Sequence, residues 1–119
     1  MHKKDALGQY GEAVAARYLE RHGWLILGRN WRCNAGEIDL IAQRNDVIAI
    51  CEVKTRRSAR FGTPLEAVTP VKVQRLRRLA GLWLLQHRRY AHEVRVDVIA
   101  VLVDEAGHSL VQHIEAVEL

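Results

Sequence analysis

Residues 94–103, Val-Arg-Val-Asp-Val-Ile-Ala-Val-Leu-Val, form a nearly unbroken aliphatic run with β-branched side chains at most positions. A stretch of this kind reads as a strand buried on both faces, a place found inside a sheet that helices cover. Ahead of it lies an amphipathic segment that opens at Thr69-Pro70 and carries Leu76, Leu79, Ala80, Trp83 and Leu84 on toward Arg89. Threonine before proline is a helix-start signal, and the apolar spacing is that of one helical face. A helix between two strands makes a parallel neighbour reachable through a crossover, right-handed by the general rule.

The upstream strand comes from a hairpin. Glu37–Gln43 and Val47–Thr55 are Ile- and Val-rich runs on either side of Arg44-Asn45-Asp46, a polar turn, and are predicted as strands two and three in antiparallel pairing. Lys4–His22 reads as a first helix, with Leu7, Gly11, Val14, Ala15 and Tyr18 along one side and Gly23 as its stop. Trp24-Leu25-Ile26-Leu27 is a short first strand; Gly28–Arg32 and the turn-prone Cys33-Asn34-Ala35-Gly36 are expected to be its loop. Thr63-Pro64-Leu65-Glu66 has the form of a capping box that begins a helical turn. After the aliphatic run, 104–108 turn the chain toward a weaker strand at Ser109–Ile114. The predicted order is α-β-β-β-α-β followed by one more β, an α/β fold with a mixed central sheet. At 119 residues with 49% hydrophobic content, one domain is the expectation for the whole length.

No segment approaches the roughly 18 uninterrupted apolar residues of a membrane span, and the first residues, Met-His-Lys-Lys-Asp, do not resemble a signal peptide. A soluble, cytoplasmic protein with no membrane partner is expected. Cys33 and Cys51 lack CxxC spacing or a nearby histidine pair, so neither a disulfide framework nor a zinc site is suggested, and Cys51 is assigned to the core. A net charge of +4 permits a polyanionic partner without requiring one.

Chemistry concentrates in the hairpin. Alternation puts Glu52 and Lys54 on one face of strand three, and a turn centred between Asn45 and Asp46 sets Asp39 opposite Glu52 and Ile41 opposite Ile50. Carboxylates directly opposed in a sheet repel each other unless something compensates them. A divalent cation would, because hard oxygens from two carboxylates, completed by waters and a phosphate, suit Mg²⁺. Lys54 would then polarise a water or steady charge on the phosphate. Solvent-facing Glu/Lys pairs are also ordinary on strands, but here Glu52 and Lys54 share their face with Ile48 and Ile50, which favours a buried site over a wet surface. Glu12 borders the buried side of helix one with Gly8, Ala15, Ala16 and Leu19; it is either a third carboxylate leaning over the sheet or an ion-pair partner on the helix. Asp97 lies inside the apolar fourth strand and must be paired, with Arg95 two positions away as the expected partner. Arg56, Arg57 and Arg60 follow the lysine in what reads as a basic loop, and Lys72, Arg75 and Arg78 recur every third residue on the second helix. Both clusters, with Arg32, are candidate contacts to nucleic-acid phosphates.

Gly11-Glu12, Asn30-Trp31-Arg32, Gly36-Glu37-Ile38-Asp39-Leu40-Ile41, Glu52-Val53-Lys54-Thr55-Arg56 and Arg95-Val96-Asp97-Val98 together resemble the YraN-like bacterial family over nearly the whole chain. That family is similar to the restriction-endonuclease-like superfamily, with its pattern of Asp and then Asp or Glu-x-Lys, and to Holliday-junction resolvases. The resemblance implies that Asp39 and Glu52 bind a catalytic Mg²⁺ or Mn²⁺, that the Val53 carbonyl is a further ligand, that Lys54 serves the attacking water, and that Glu12 matches the helix-one Glu of the resolvases. The proline of the superfamily pattern is absent, Ile38 standing in its place. The expected activity is a metal-dependent endonuclease acting on DNA, branched or structured DNA in particular. The alternative is a catalytically silent nucleic-acid-binding or assembly module on the same scaffold. RNA is not excluded as a substrate, and cutting two strands would favour a homodimer.

Overall fold

The computed structural model describes residues 5–57 and 68–118. Its elements run α1 (Ala6–Arg21), β1 (Leu25–Cys33), β2 (Gly36–Arg44), β3 (Val47–Arg56), α2 (Pro70–His87), β4 (Glu93–Val103) and β5 (Ser109–Ile114). The five strands form one sheet in sequence order, antiparallel throughout except for β3 and β4, which are parallel. The mixed α/β arrangement expected from the sequence is therefore present, with the parallel step at the crossover that contains α2. No helix among the described residues is long and apolar enough to cross a membrane.

Strand alternation divides the core between the two helices. Ala49 and Cys51 of β3 pack with Ala15, Ala16 and Leu19 of α1, while Ile48 and Ile50 pack with Leu76, Leu79, Ala80 and Trp83 of α2. Thus β3 is buried on both faces, as is the aliphatic run in β4, where Val96 and Val98 face away from Ile99 and Val101. Asp5 caps α1 by accepting from the Gly8 N–H at 2.7 Å, and Thr69 caps α2 by accepting from the Lys72 N–H at 3.2 Å with Pro70 following. Gly11 permits the close seating of α1 on the sheet: a Cβ there would lie 1.8 Å from the Thr55 hydroxyl of β3.

Three expectations need correction. The first strand does not stop at Leu27; it continues to Cys33, paired with β2 beyond a register shift between Ile26 and Gly28. An edge strand needs a partner on one side only, so its polar outer residues hid it among loop signals. Strict alternation along residues 37–43 predicts Ile38 on one face with Leu40 and Ala42, but it packs with Ile41, Ile48 and Ile50 beneath α2, so the alternation in β2 breaks at this point. Helix α1 begins at Ala6, with Asp5 rather than Lys4 at its boundary. The predicted capping box at 63–66 and the basic residue Arg60 lie outside the described residues.

The Arg95–Asp97 pair is found and is larger than expected. Asp97 is fully buried; Arg95 Nε stands 3.1 Å from its Oδ1, His113 donates to Oδ2 at 2.7 Å, and the Ala116 N–H donates to Oδ1 at 3.0 Å. Burial alone would raise this carboxyl's pKa, but the bonds from His113 and Ala116 and the Arg95 charge outweigh it and hold the pKa below its ordinary value. The network therefore fastens β5 and the chain after it to β4.

Candidate active site

The site begins where the sheet forks. The β2–β3 ladder runs in the expected register from Arg44↔Val47 to Leu40↔Cys51 and ends there, one pair short of Asp39 and Glu52. Beyond that point β2 stays with β1 through Ile38 and Glu37, while β3 stays with β4 from Glu52 to Arg56. The two carboxylates thus face each other across an opening rather than as an ordinary pair within the ladder. One Asp39 oxygen accepts from the Val53 N–H at 2.9 Å, using the donor that the vanished ladder no longer employs.

The opening is a cleft of about 310 Å³ lined by Gly8 and Glu12 of α1, by Asp39, and by Glu52, Val53, Lys54, Thr55 and Arg56 of β3. Four residues singled out from the sequence, Glu12, Asp39, Glu52 and Lys54, are therefore together. Glu12 is 9% exposed and Asp39 8%, values reached by few carboxylates, and Glu12 lies within the buried stripe of α1 rather than at its margin. Helix register and the Gly11–Thr55 contact bring Glu12 over the fork.

Electrostatics set the four apart from a surface cluster. Burial first, and then the neighbouring Asp39 carboxylate, push the Glu52 pKa up to about 7, against the opposing pull of Lys54 and Lys72. Lys54 is shifted downward, mainly by burial and then by the nearby Lys72 amine. Two like charges thus share a poorly hydrated space, and in the metal-free chain a proton relieves them.

Among the described residues, no group of three Asp, Glu, His or Cys side chains is gathered as a ready-made cation cage. The donor set nevertheless fits Mg²⁺ or Mn²⁺, since such ions are commonly held by one or two carboxylates with waters and substrate phosphate completing the shell. Asp39 and Glu52, close enough to share a hydrogen bond, would be those two.

The basic candidates separate. Arg56 lines the cleft and Arg57 follows it on the exposed chain, while Lys72 reaches within 4.0 Å of Glu52 Oε2. Arg75 instead lies against Gly36 at the β1–β2 turn, and Arg32 is held by Glu37 at 3.3 Å. Neither is brought to the cleft. Asp5, Leu7 and Thr55 also line it and were not singled out from the sequence as site residues.

A model of the family described as "Uncharacterised protein family UPF0102" matches residues 11–101. A protein from Kineococcus radiotolerans is 56% identical over 96% of this chain and 94% of its own length. One from Beutenbergia cavernae is 52% identical over 98% and 99%, and one from Streptomyces griseus 48% identical over 98% and 99%. All three bear the name "UPF0102 protein".

Proposed function

Starting from a chain that belongs to the UPF0102 family, we propose that it is a divalent-metal-dependent endonuclease of restriction-endonuclease-like fold that hydrolyses phosphodiester bonds in DNA, structured or branched DNA in particular. The observation that carries this reading is the fork: it gathers Asp39, Glu52 and Lys54 beneath Glu12 in one cleft, with Glu52 held near a pKa of 7 by burial and Asp39. Such an arrangement costs stability, and nothing in the packing of the core requires it.

Asp39 is oriented by the Val53 N–H and presents its carboxylate beside that of Glu52. Asp39 and Glu52 would hold the cation, and because Glu52 must give up its proton to do so, cation affinity would rise as pH passes through its pKa. What the cation supplies is charge neutralisation at the scissile phosphate. Lys54, on the same strand face as Glu52, donates hydrogen bonds to the attacking water or to a phosphate oxygen. As water attacks phosphorus in line, one P–O bond forms while the ester P–O bond opposite breaks; the water's proton passes to solvent and the departing alkoxide takes one from solvent. Glu12 closes the α1 side and orders water near the site. Arg56 and Arg57 at the mouth are placed to meet backbone phosphates, which carry no sequence information by themselves.

Incubation with linear, flapped and four-way DNA and RNA substrates in Mg²⁺ or Mn²⁺ tests this. Cleavage that Asp39→Ala abolishes is the expected result, and the substrate cut decides between DNA and RNA. Metal binding without any cleavage would turn the reading into that of a silent nucleic-acid-binding module.

A further inference from the structure

The cleft receives its acids from α1, β2 and β3, but one charged group approaches from the other side of the sheet. Lys72, in the first turn of α2, places Nζ 4.0 Å from Glu52 Oε2, and its amine also interacts with that of Lys54. Its backbone is fixed: Thr69 accepts from the Lys72 N–H, and the next residue, Val73, is buried with Val68, Val98 and Val117. The side chain is 35% exposed, reachable from solvent yet directed at the carboxylate. We propose that Lys72 is a second lysine of the reaction centre, which contacts the scissile phosphate itself instead of a neighbouring backbone phosphate. This rests on the nuclease reading above.

Charge balance argues for it. In the loaded site the carboxylates of Asp5, Glu12, Asp39 and Glu52 would exceed a divalent cation together with Lys54 by one negative charge, which disfavours a phosphodiester. Among the described residues, Arg56 on the cleft's wall and Lys72 beside Glu52 are the further cationic side chains that turn the balance positive. During attack the phosphate gains negative charge, so a cation held at this spot binds the transition state more tightly than the ground state, the condition for raising a rate. With Glu52 engaged by a cation, the Lys72 ammonium would lose its present partner and be free to meet the substrate. Arg75, one turn further along α2, lies over Gly36 and lacks this opportunity.

The test uses the full chain, Mn²⁺ and a fluorescein-labelled four-way DNA junction, with Lys72→Met to keep the aliphatic stem and Lys72→Arg to keep the charge. Melting curves in EDTA and in Mn²⁺ first show that both variants fold and still gain stability from the ion. The single-turnover rate at saturating protein should then fall about 100-fold in Lys72→Met. Its Kd for the junction, read by anisotropy, should change less than about threefold and its salt dependence hardly at all, with Lys72→Arg intermediate in rate. A variant that binds more weakly, with a salt slope lower by about one, but cuts normally at saturation marks Lys72 as an ordinary backbone contact and overturns the proposal. An unaltered rate and Kd overturn it equally. If wild type cuts nothing, the nuclease reading itself falls and takes this role with it, whereas a cutting wild type with an active Lys72→Met leaves that reading intact.

Discussion

Glu52 stores the site's tension in the metal-free chain. Its pKa moves from 4.5 to about 7 on folding, so the folded state binds this proton more tightly than the unfolded one. The stabilising contribution is complete below the unfolded value and is lost as pH climbs through 7, amounting to at most about 3 kcal/mol. Melting temperature in EDTA should therefore decline from about pH 5 to about pH 8, and Glu52→Gln should flatten that decline; an identical slope in the variant would place the titration elsewhere. Asp39→Asn keeps an acceptor for the Val53 N–H but removes the charge beside Glu52. It should melt higher than wild type in EDTA and gain nothing from Mn²⁺, whereas wild type at a hundredfold excess over Kd should gain about 2.7 kcal/mol. Asp39, Glu52 and Lys54 were legible in the sequence because strand alternation and hairpin register are local rules. The bond from Val53 to Asp39 was not, since it exists only because the ladder ends one pair early, and nothing in residues 36–56 alone announces where two strands part company.

Among the elements, α1 is seated by its lack of a side chain at Gly11. Alanine there would ordinarily favour a helix by about 1 kcal/mol, but its Cβ would meet the Thr55 hydroxyl at 1.8 Å. A β-branched side chain on a strand has little freedom to turn away, so the clash prevails. Gly11→Ala should cost about 1–3 kcal/mol in urea unfolding and reduce cleavage by lifting Glu12 from the cleft, with Thr55→Ala giving partial recovery; a Gly11→Ala protein as stable as wild type would show the seat to be soft. The Asp97 network gives a second test. Asp97→Ala leaves Arg95 and His113 without their shared anion and should cost about 3–5 kcal/mol, and a loss below about 1 kcal/mol would contradict its role in fastening β5. In wild type this contribution is present above the ordinary carboxylate pKa and disappears as pH falls through the lower folded value. The pair was foreseeable from spacing within β4, but its third member was not, because His113 reaches Asp97 only through the β4–β5 register. The same dependence on neighbours hid the second half of β1.

At the scale of the molecule, the order of helices and strands, the parallel step and the meeting of the acids with Lys54 were readable, because an aliphatic run of the length of β4 admits few surroundings. Which cations enter the cleft was not, since Lys72 and Arg75 sit three residues apart and only the packing of α2 on the sheet tells them apart. Arg56→Glu with Arg57→Glu should weaken DNA binding at least tenfold and reduce its salt slope, read by anisotropy across a salt series; an unchanged slope would make that segment merely solvated. The fork also ties completion of the site to the order in which the chain is made. The hairpin that carries Asp39 and Glu52 closes through a short turn, but from Glu52 to Arg56 the only strand alongside β3 is β4, whose Glu93 pairs with Val47 from far downstream. Pairings so distant in sequence form late. A nascent chain that has not yet released β4 therefore holds every acid of the site and still lacks the strand that runs beside β3 from Glu52 to Arg56.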